Sequence, residues 1–558
     1  MKEYIIKIAL LVLIVVSVAC ESQLEEYNPS GITDESIFTK PDGFESAVNA
    51  AYTYNRYLYG KEEGYGLLEV GTDIWTNAAS DQQTPLSLYL NLNPDQAWLK
   101  APMWQQCYAA INVCNTALSF IGNAGLTPSR QTILEGEIRF MRAWYYWHLV
   151  ETFGDVPFSV EPTVKLEITA TRTPVETIYE QIFKDLNIAI VNLPPTTTDY
   201  GRVTKPAAEA FLARLYLTRN RNQEACNVAN RVIKNYGRSL LPKYADLWQM
   251  ANQRNTEVLW ATNYSTNLAL NAGSNVGHAV FLFEYKDLPG MKRDLTYGTP
   301  TMRYMPTLFL LNLFDEQDDA RYSASFTQAW IANNANTIPT WTAADAVENA
   351  ALASLVNQPK FTVGDTAVFI TKKSIDDFQQ HYTTRYRYRV YDVDDLYNSN
   401  GVPKDRFHYP ALRKFTDPTR ANENANESSR DAFLIRLAEM YLIVAEAKMK
   451  LGDADSAALM VNAVRTRAAI PGHEADMQVA SGDVTLDFIL DERAREFAGE
   501  DLRWFDLKRT GKLVERIQDH NPDAEPNIKT YHILRPIPQA QIDAVTNKDE
   551  FFQNEGYY

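Results

Sequence analysis

Two stretches far apart in this chain repeat one pattern. The first runs Ala213-Arg-Leu-Tyr-Leu-Thr-Arg-Asn-Arg-Asn-Gln-Glu-Ala225 and on to Val232. The second runs Ala445-Glu-Ala-Lys-Met-Lys-Leu-Gly-Asp-Ala-Asp-Ser-Ala457 and on to Val464. In each, two alanines stand twelve residues apart across a short polar turn, and a β-branched residue follows seven later. Apolar residues recur at helical spacing on both sides of the turn. Small residues at that spacing let two antiparallel helices approach closely. Both stretches therefore read as helical hairpins, and a chain built from such units is mainly α.

The same periodicity predicts a helix from about Phe44, with Phe44, Val48, Ala51 and Tyr52 on one face. Further helices are expected at about 103–121, 131–152, 174–192, 206–219, 222–236, 432–450, 453–468, 484–499 and 502–519. Gly154-Asp-Val-Pro157 ends the third of these runs sharply. Residues 60–102 read as a long loop. Residues 250–430 mix short strands (258–261, 281–283, 367–370) with Asn- and Thr-rich connections. Strict alternation in Arg385-Tyr-Arg-Tyr-Arg-Val-Tyr391 predicts a half-buried strand. The hairpins resemble the tetratricopeptide helix pair, whose repeat is about 34 residues. Plain helical hairpins with alanine at the crossing points are the simpler reading of the same residues.

The N-terminus has a different logic. Lys2 and Lys7 precede an apolar run, Ile8 to Ala19, that is too short to span a bilayer. A basic start, an apolar stretch and a small residue before a cut describe a signal peptide over residues 1–19. The next residue is Cys20, and the junction resembles the lipobox of a bacterial lipoprotein, with Ser17 where leucine is usual. Cys20 is then the lipidation site, and residues 20–41 form a polar tether. The rest divides into an N-terminal helical region (42–250), a loop-rich region (251–430) and a C-terminal helical region (431–558).

The chain has 558 residues and a net charge of −16, which disfavours nucleic acid as a partner. Its 31 Tyr and 10 Trp make it rich in aromatic residues, though core packing alone would use most of them. With Cys20 lipidated, Cys107, Cys114 and Cys226 remain, an odd set that reads as buried thiols. There is no HExxH, and no two histidines stand at i, i+3 or i, i+4. Phosphate-loop, dinucleotide and nucleophile-elbow motifs are missing too. The expectation is a protein that is not an enzyme, with no cofactor. A secreted helical glycosidase is the remaining catalytic alternative. A calcium ion among Asp392, Asp394 and Asp395 is the remaining metal alternative, against a solvated acidic turn.

Three long signatures complete the reading. They are Gly136 to Val150 with Phe153-Gly-Asp-Val-Pro-Phe158; Leu434 to Ala447 with Asn462-Ala-Val-Arg-Thr-Arg-Ala468; and Asp491-Glu-Arg-Ala-Arg-Glu-Phe-Ala-Gly-Glu-Asp-Leu-Arg-Trp-Phe-Asp-Leu-Lys-Arg-Thr-Gly511. The chain closes with Leu534-Arg-Pro-Ile-Pro-Gln539 and Gln553-Asn-Glu-Gly-Tyr557. Together, in this order behind the lipobox, they resemble the SusD/RagB family of nutrient-binding outer-membrane lipoproteins. Physically they read as scaffold. Glu492, Arg495, Glu496 and Arg503 are spaced for ion pairs. Arg139, Arg142 and Glu439 suit helix crossings, and Phe497, Trp504 and Phe505 supply buried area.

The resemblance implies a SusD-like fold of tetratricopeptide-like helix pairs carrying a loop-rich, glycan-binding face with a few short strands. It implies a lipid-anchored protein on the outer membrane, facing the cell exterior. Such a protein captures oligosaccharides and delivers them to a SusC-like TonB-dependent transporter. A peptide-capturing lid, or a protein-binding scaffold of the same transporter, is the alternative. Gly71-Thr-Asp73 resembles the opening of the family's glycan-contacting loop, and the second contacting region is mid-chain. Sugar sites need aromatic platforms flanked by polar groups. Trp75, Trp98 and Trp330 are the expected platforms, with Tyr297 and Trp341 beside the last. Asp73, Asn77 and Arg303 are the expected hydroxyl partners, and Asp81, Gln82 and Tyr89 share the first loop. The structural alternatives are core packing for each aromatic, a turn cap for Asp73, and an ion pair of Arg303 with Asp315 or Asp318.

Overall fold

The computed structural model describes residues 34–271, 273, 275–374 and 387–557. The signal peptide, Cys20, the start of the tether and Arg385 lie outside the described residues. Among the described residues nine long helices carry the architecture, α1 (Pro41–Thr53), α2 (Gln106–Phe120), α3 (Pro128–Phe153), α4 (Val175–Asn192), α5 (Lys205–Thr218), α6 (Asn222–Asn235), α7 (Leu437–Lys450), α8 (Ala454–Ala468) and α9 (Leu486–Phe497), followed by the short α10 (Arg503–Arg509). Helices α2 to α8 pack each against the next. The array is continuous in space although about two hundred residues separate α6 from α7.

The two hairpins are built alike, residue for residue. Ala213, Ala225, Ala445 and Ala457 are all fully buried, as are Val232 and Val464. The first helix of each pair ends on a left-handed residue seven positions after the first alanine. These are Asn220 (φ 56) and Gly452 (φ 80). Behind them, Arg221 N–H donates to Tyr216 O at 2.8 Å, and Asp453 N–H donates to Lys448 O at 2.9 Å. These bonds satisfy carbonyls that the helix end leaves open.

Among the described residues, nine short strands form four small sheets: β1 (Trp75–Asn77), β2 (Val258–Thr262), β3 (Tyr304–Pro306), β4 (Phe326–Thr327), β5 (Ala329–Ile331), β6 (Thr366–Ile370), β7 (Arg389–Tyr391), β8 (Ala411–Leu412) and β9 (Ala432–Arg436). The pairs are β1–β3, β2–β9 and β4–β8, with a three-stranded β5–β6–β7 sheet. Four sequence expectations need correction. Residues 432–436 are strand β9, not the first turn of a helix, because they pair with β2 and leave Arg436 extended at the N-terminus of α7. Phe281, Leu282 and Phe283 form no strand; they follow a short helix, Gly277–Val280, and all three are buried. The expected 502–519 helix is broken at Gly511 (φ 72) into α10 and a second helix, Leu513–His520. The expected 60–102 loop holds a helix, Glu62–Leu68, besides β1.

Cys107, Cys114 and Cys226 are free and buried, as read. Arg139 and Arg142 both meet Asp185, and Glu439 meets Arg214 at 2.7 Å. Phe497, Trp504 and Phe505 are buried. Arg503 departs from the expected helix pairing and reaches Asp73 instead.

Three apolar clusters meet on α9. Leu490 belongs to the large helical core, Ala494 to the core of the mid-chain strands, and Ile489 and Phe497 to the cluster of α7 and α8. Glu492, Arg493, Arg495 and Glu496 of α9 are also buried. Glu492 faces Arg321 (2.7 Å), Arg495 (2.8 Å) and Arg465 (2.9 Å). Glu496 faces Arg467 (2.5 Å), Arg436 (3.1 Å) and Arg321 (3.2 Å). Burial alone would raise the Glu496 pKa, but Arg467, Arg436 and Arg321 hold it down to about 2. An unfolded glutamate titrates near 4.3. The pair energy is therefore present above about pH 4.3 and is lost as pH falls towards 2. Glu496→Gln should cost about 3–5 kcal/mol near neutrality by stranding buried guanidinium groups. Denaturant titrations between pH 2 and pH 7 should also show a shallower acid loss in Glu496→Gln than in wild type.

Candidate functional site

The two regions singled out in the sequence are brought together by β1 and β3. Trp75 lies opposite Pro306, Thr76 opposite Met305, and Asn77 opposite Tyr304. The pairing runs on past the strands, with Ala78 N–H donating to Arg303 O and Ser80 N–H to Met302 O. The 77–81 loop and Arg303 therefore share one surface.

Several expected site residues face the wrong way for a ligand. Trp75 is fully buried, and its indole N–H donates to Glu69 Oε1 at 3.1 Å. Asp73 is equally buried between Arg503 (2.7 Å) and Arg516 (2.7 Å). Burial opposes its charge, but these two guanidiniums keep its pKa below the usual value. Trp330 is fully buried and stacked on Tyr285 with centroids 4.8 Å apart. None of the three offers a face or an oxygen to a sugar in this structure. Tyr297 is half-buried against Trp330, and its hydroxyl accepts Ile331 N–H at 2.7 Å. Trp341 is buried, with Lys360 Nζ 4.9 Å from its ring centroid. Tyr89 is buried with its hydroxyl on Gly71 O, and Gln82 is exposed.

Trp98, Arg303 and Asn77 remain at the surface, each partly exposed. Trp98 lies against Gly66 of the Glu62–Leu68 helix. A Cβ on Gly66 would stand 2.5 Å from Trp98 Cζ3 and 3.0 Å from the Tyr304 hydroxyl, so only glycine admits the ring there. That Tyr304 hydroxyl is buried and has no hydrogen-bond partner among the described residues. One turn earlier, Glu62 pairs with Arg303 at 3.0 Å, so the ion pair of Arg303 is with Glu62 and not with Asp315 or Asp318, the structural alternative. Arg303 also donates to Ser80 O. Burial raises the Glu62 pKa against the pull of Arg303, and burial raises that of Asp81. Asp81 accepts Gln83 N–H at 2.7 Å.

Asn77 is committed to Arg406, which donates to its Oδ1 at 2.9 Å and bonds Asp523 at 2.8 Å. Next to Arg406 stands Phe407, 57% exposed, and Ala79 N–H donates to Arg406 O. Sequence reading missed Phe407, because it sits in a turn where no periodicity singles it out. A connected surface thus runs from Phe407 through the 77–81 loop and Arg303 to Glu62 and Trp98. It joins two accessible aromatic rings to charged and amide groups, the chemistry that suits a polyhydroxylated ligand.

The acidic turn weighed for calcium is a helix cap. Asp392 Oδ1 accepts Asp395 N–H at 3.0 Å at the start of the Val393–Leu396 helix. Asp394 accepts the Ser374 hydroxyl at 2.8 Å. Among the described residues, Asp318, His473 and Asp476 form the one group spaced to share an ion. No described helix is long and apolar enough to cross a membrane.

Comparison with known proteins agrees with the fold. A family described as "Starch-binding associating with outer membrane" matches residues 47–217. "SusD-like protein P25" of Formosa agariphila is 26% identical over 97% of each chain. "Starch-binding protein SusD" of Bacteroides thetaiotaomicron is 24% identical over 78% of this chain and 74% of its own. The solved structure of a "Laminarin binding SusD-like protein" superposes with a TM-score of 0.63 at 22% identity, covering 93% of this chain and all of that one. The SusD family itself matches residues 246–557, which span β2, the mid-chain sheets and the buried ion network of α9; the chain belongs to the SusD family.

Proposed function

We propose that this protein binds oligosaccharides on the surface that joins Trp98, Arg303, Glu62, Asp81 and Phe407. The observation that carries the reading is Trp98, a partly exposed indole seated on Gly66 beside the Arg303–Glu62 pair. A ring face for sugar C–H groups next to fixed donors and acceptors is what carbohydrate recognition requires. Relatives named for starch and laminarin binding support the ligand class. The protein holds its ligand without cleaving it. We further propose that Cys20 carries a lipid anchor, that the protein faces outward from the outer membrane, and that it delivers its ligand to a SusC-like TonB-dependent transporter. The family description that places starch binding at the outer membrane supports the location.

Affinity electrophoresis against a panel of neutral polysaccharides tests the site. Wild type should be retarded by at least one polymer, and Trp98→Ala should lose about 1–3 kcal/mol of that affinity, the range for one stacked ring. Retardation unchanged in Trp98→Ala would move the site elsewhere. Gly66→Ala should weaken binding as well, because the new methyl displaces the indole. Asp73→Asn should behave differently: it should lower stability by about 3–5 kcal/mol in urea titration while the folded protein keeps its ligand affinity.

A further inference from the structure

A large cleft lies away from Trp98. It has a volume of about 1050 Å³ and is walled by the 242–251 turns, the Ala320–Ser325 helix, the 413–419 loop and the end of α8. That size is at the upper end of ordinary ligand sites. Trp248 lies half-buried in its wall, with the hydroxyl residues Thr296, Ser323, Thr419 and Thr466 exposed around it.

The charge of this cleft runs against that of the chain. In a protein of net charge −16, the lining holds four cations, Lys243, Arg413, Arg430 and Arg467, and a single carboxylate, Glu474. Arg467 is spent on Glu257 and Glu496. Arg430 is buried and donates to the carbonyls of Trp248 (2.7 Å) and Thr416 (2.9 Å) without an ion pair among the described residues. Asp417 and Asp431 offset part of its charge through space. Lys243 and Arg413 are exposed and form no ion pair among the described residues. Two free cations at the rim and an under-compensated one in the wall make an anion-attracting cleft around an indole.

We infer that this cleft is a second carbohydrate subsite, selective for sugars that carry an anionic group, with Arg413 and Lys243 meeting the anion and Trp248 the ring. The inference rests on the carbohydrate reading above and adds a ligand class and a second place. A uronate carboxylate and a sulfate ester present the same chemistry to these cations. An acidic peptide is the less fitting occupant. The walls are helical turns and loops, and among the described residues no strand lines the cleft for an extended backbone to pair with.

The test is affinity electrophoresis of the full-length protein in detergent, with polygalacturonate, dextran sulfate, unmodified dextran and poly-glutamate in separate gels. The variants are Trp98→Ala and the double variant Lys243→Gln, Arg413→Gln, whose side chains are exposed and leave the core intact. Polygalacturonate or dextran sulfate should retard wild type and Trp98→Ala alike. The double variant should bind that polymer about fivefold more weakly. Raising salt to about 0.5 M should remove most of the difference. The polymer that responds tells carboxylate from sulfate. Failure of both acidic polymers to retard wild type, or equal retardation of the double variant, overturns the inference. Poly-glutamate retarded as strongly, and weakened by the same variant, overturns the carbohydrate assignment. Failure of the first site shows separately, as the absence of any retardation that depends on Trp98.

Discussion

The burial of Glu492 and Glu496 on α9 is the constraint around which this molecule is arranged. Both carboxylates are fully inaccessible, and their cations come from distant parts of the chain: Arg321 from the mid-chain region, Arg436 from the end of β9, and Arg465 and Arg467 from α8. Glu257, at the entry to β2, and Glu500, past the end of α9, complete the set by pairing with Arg436. Taking so many charges out of water is unfavourable unless each finds its partner, so a single missing contact is heavily penalised. The network thus does what apolar packing alone does weakly: it admits one docking of the mid-chain region on the helical array. Because three apolar clusters also meet on α9, register there fixes register in all of them.

The helical scaffold was legible because its determinants are local. The alanine spacing acts within one hairpin, and the alanines are buried where the pattern places them, with left-handed Asn220 and Gly452 closing the same turns. What the pattern could not carry was the choice between helix and strand in short apolar runs. Residues 432–436 look like more of α7 until β2 is set beside them, and 281–283 look like a strand until their burial within a turn is seen.

The ligand surface was only half legible, for a related reason. Thr72-Asp73 and Trp75 have the composition of a sugar site, but composition does not say which way a residue points. The partners that claim Asp73 lie 430 and 443 residues further along the chain. Trp330 is held by Tyr285 and Phe283, nearer along the chain but still well outside its own local pattern. Arg303 and Trp98 stay at the surface, and what joins them is the absence of a side chain at Gly66 and a glutamate one turn earlier. Neither Gly66 nor Glu62 carries a mark in the sequence. Phe407 reaches the same surface only because Arg406 is anchored to Asn77 and Asp523.

The distribution of positive charge follows from the same interior network. Arg321, Arg436, Arg465, Arg467, Arg493, Arg503, Arg509 and Arg516 all face carboxylates at the core or its edge. With so many of its guanidiniums neutralised inside, an acidic chain has few left to set against solvent. An exposed arginine such as Arg413, without a partner among the described residues, is therefore informative on this surface in a way it would not be on a basic protein. Beyond roughly 8 Å in physiological salt the net −16 is screened, so it neither forbids nor guides an anion that reaches the cleft. What decides is the local balance of Lys243, Arg413 and Arg430 against Glu474, and that balance is positive.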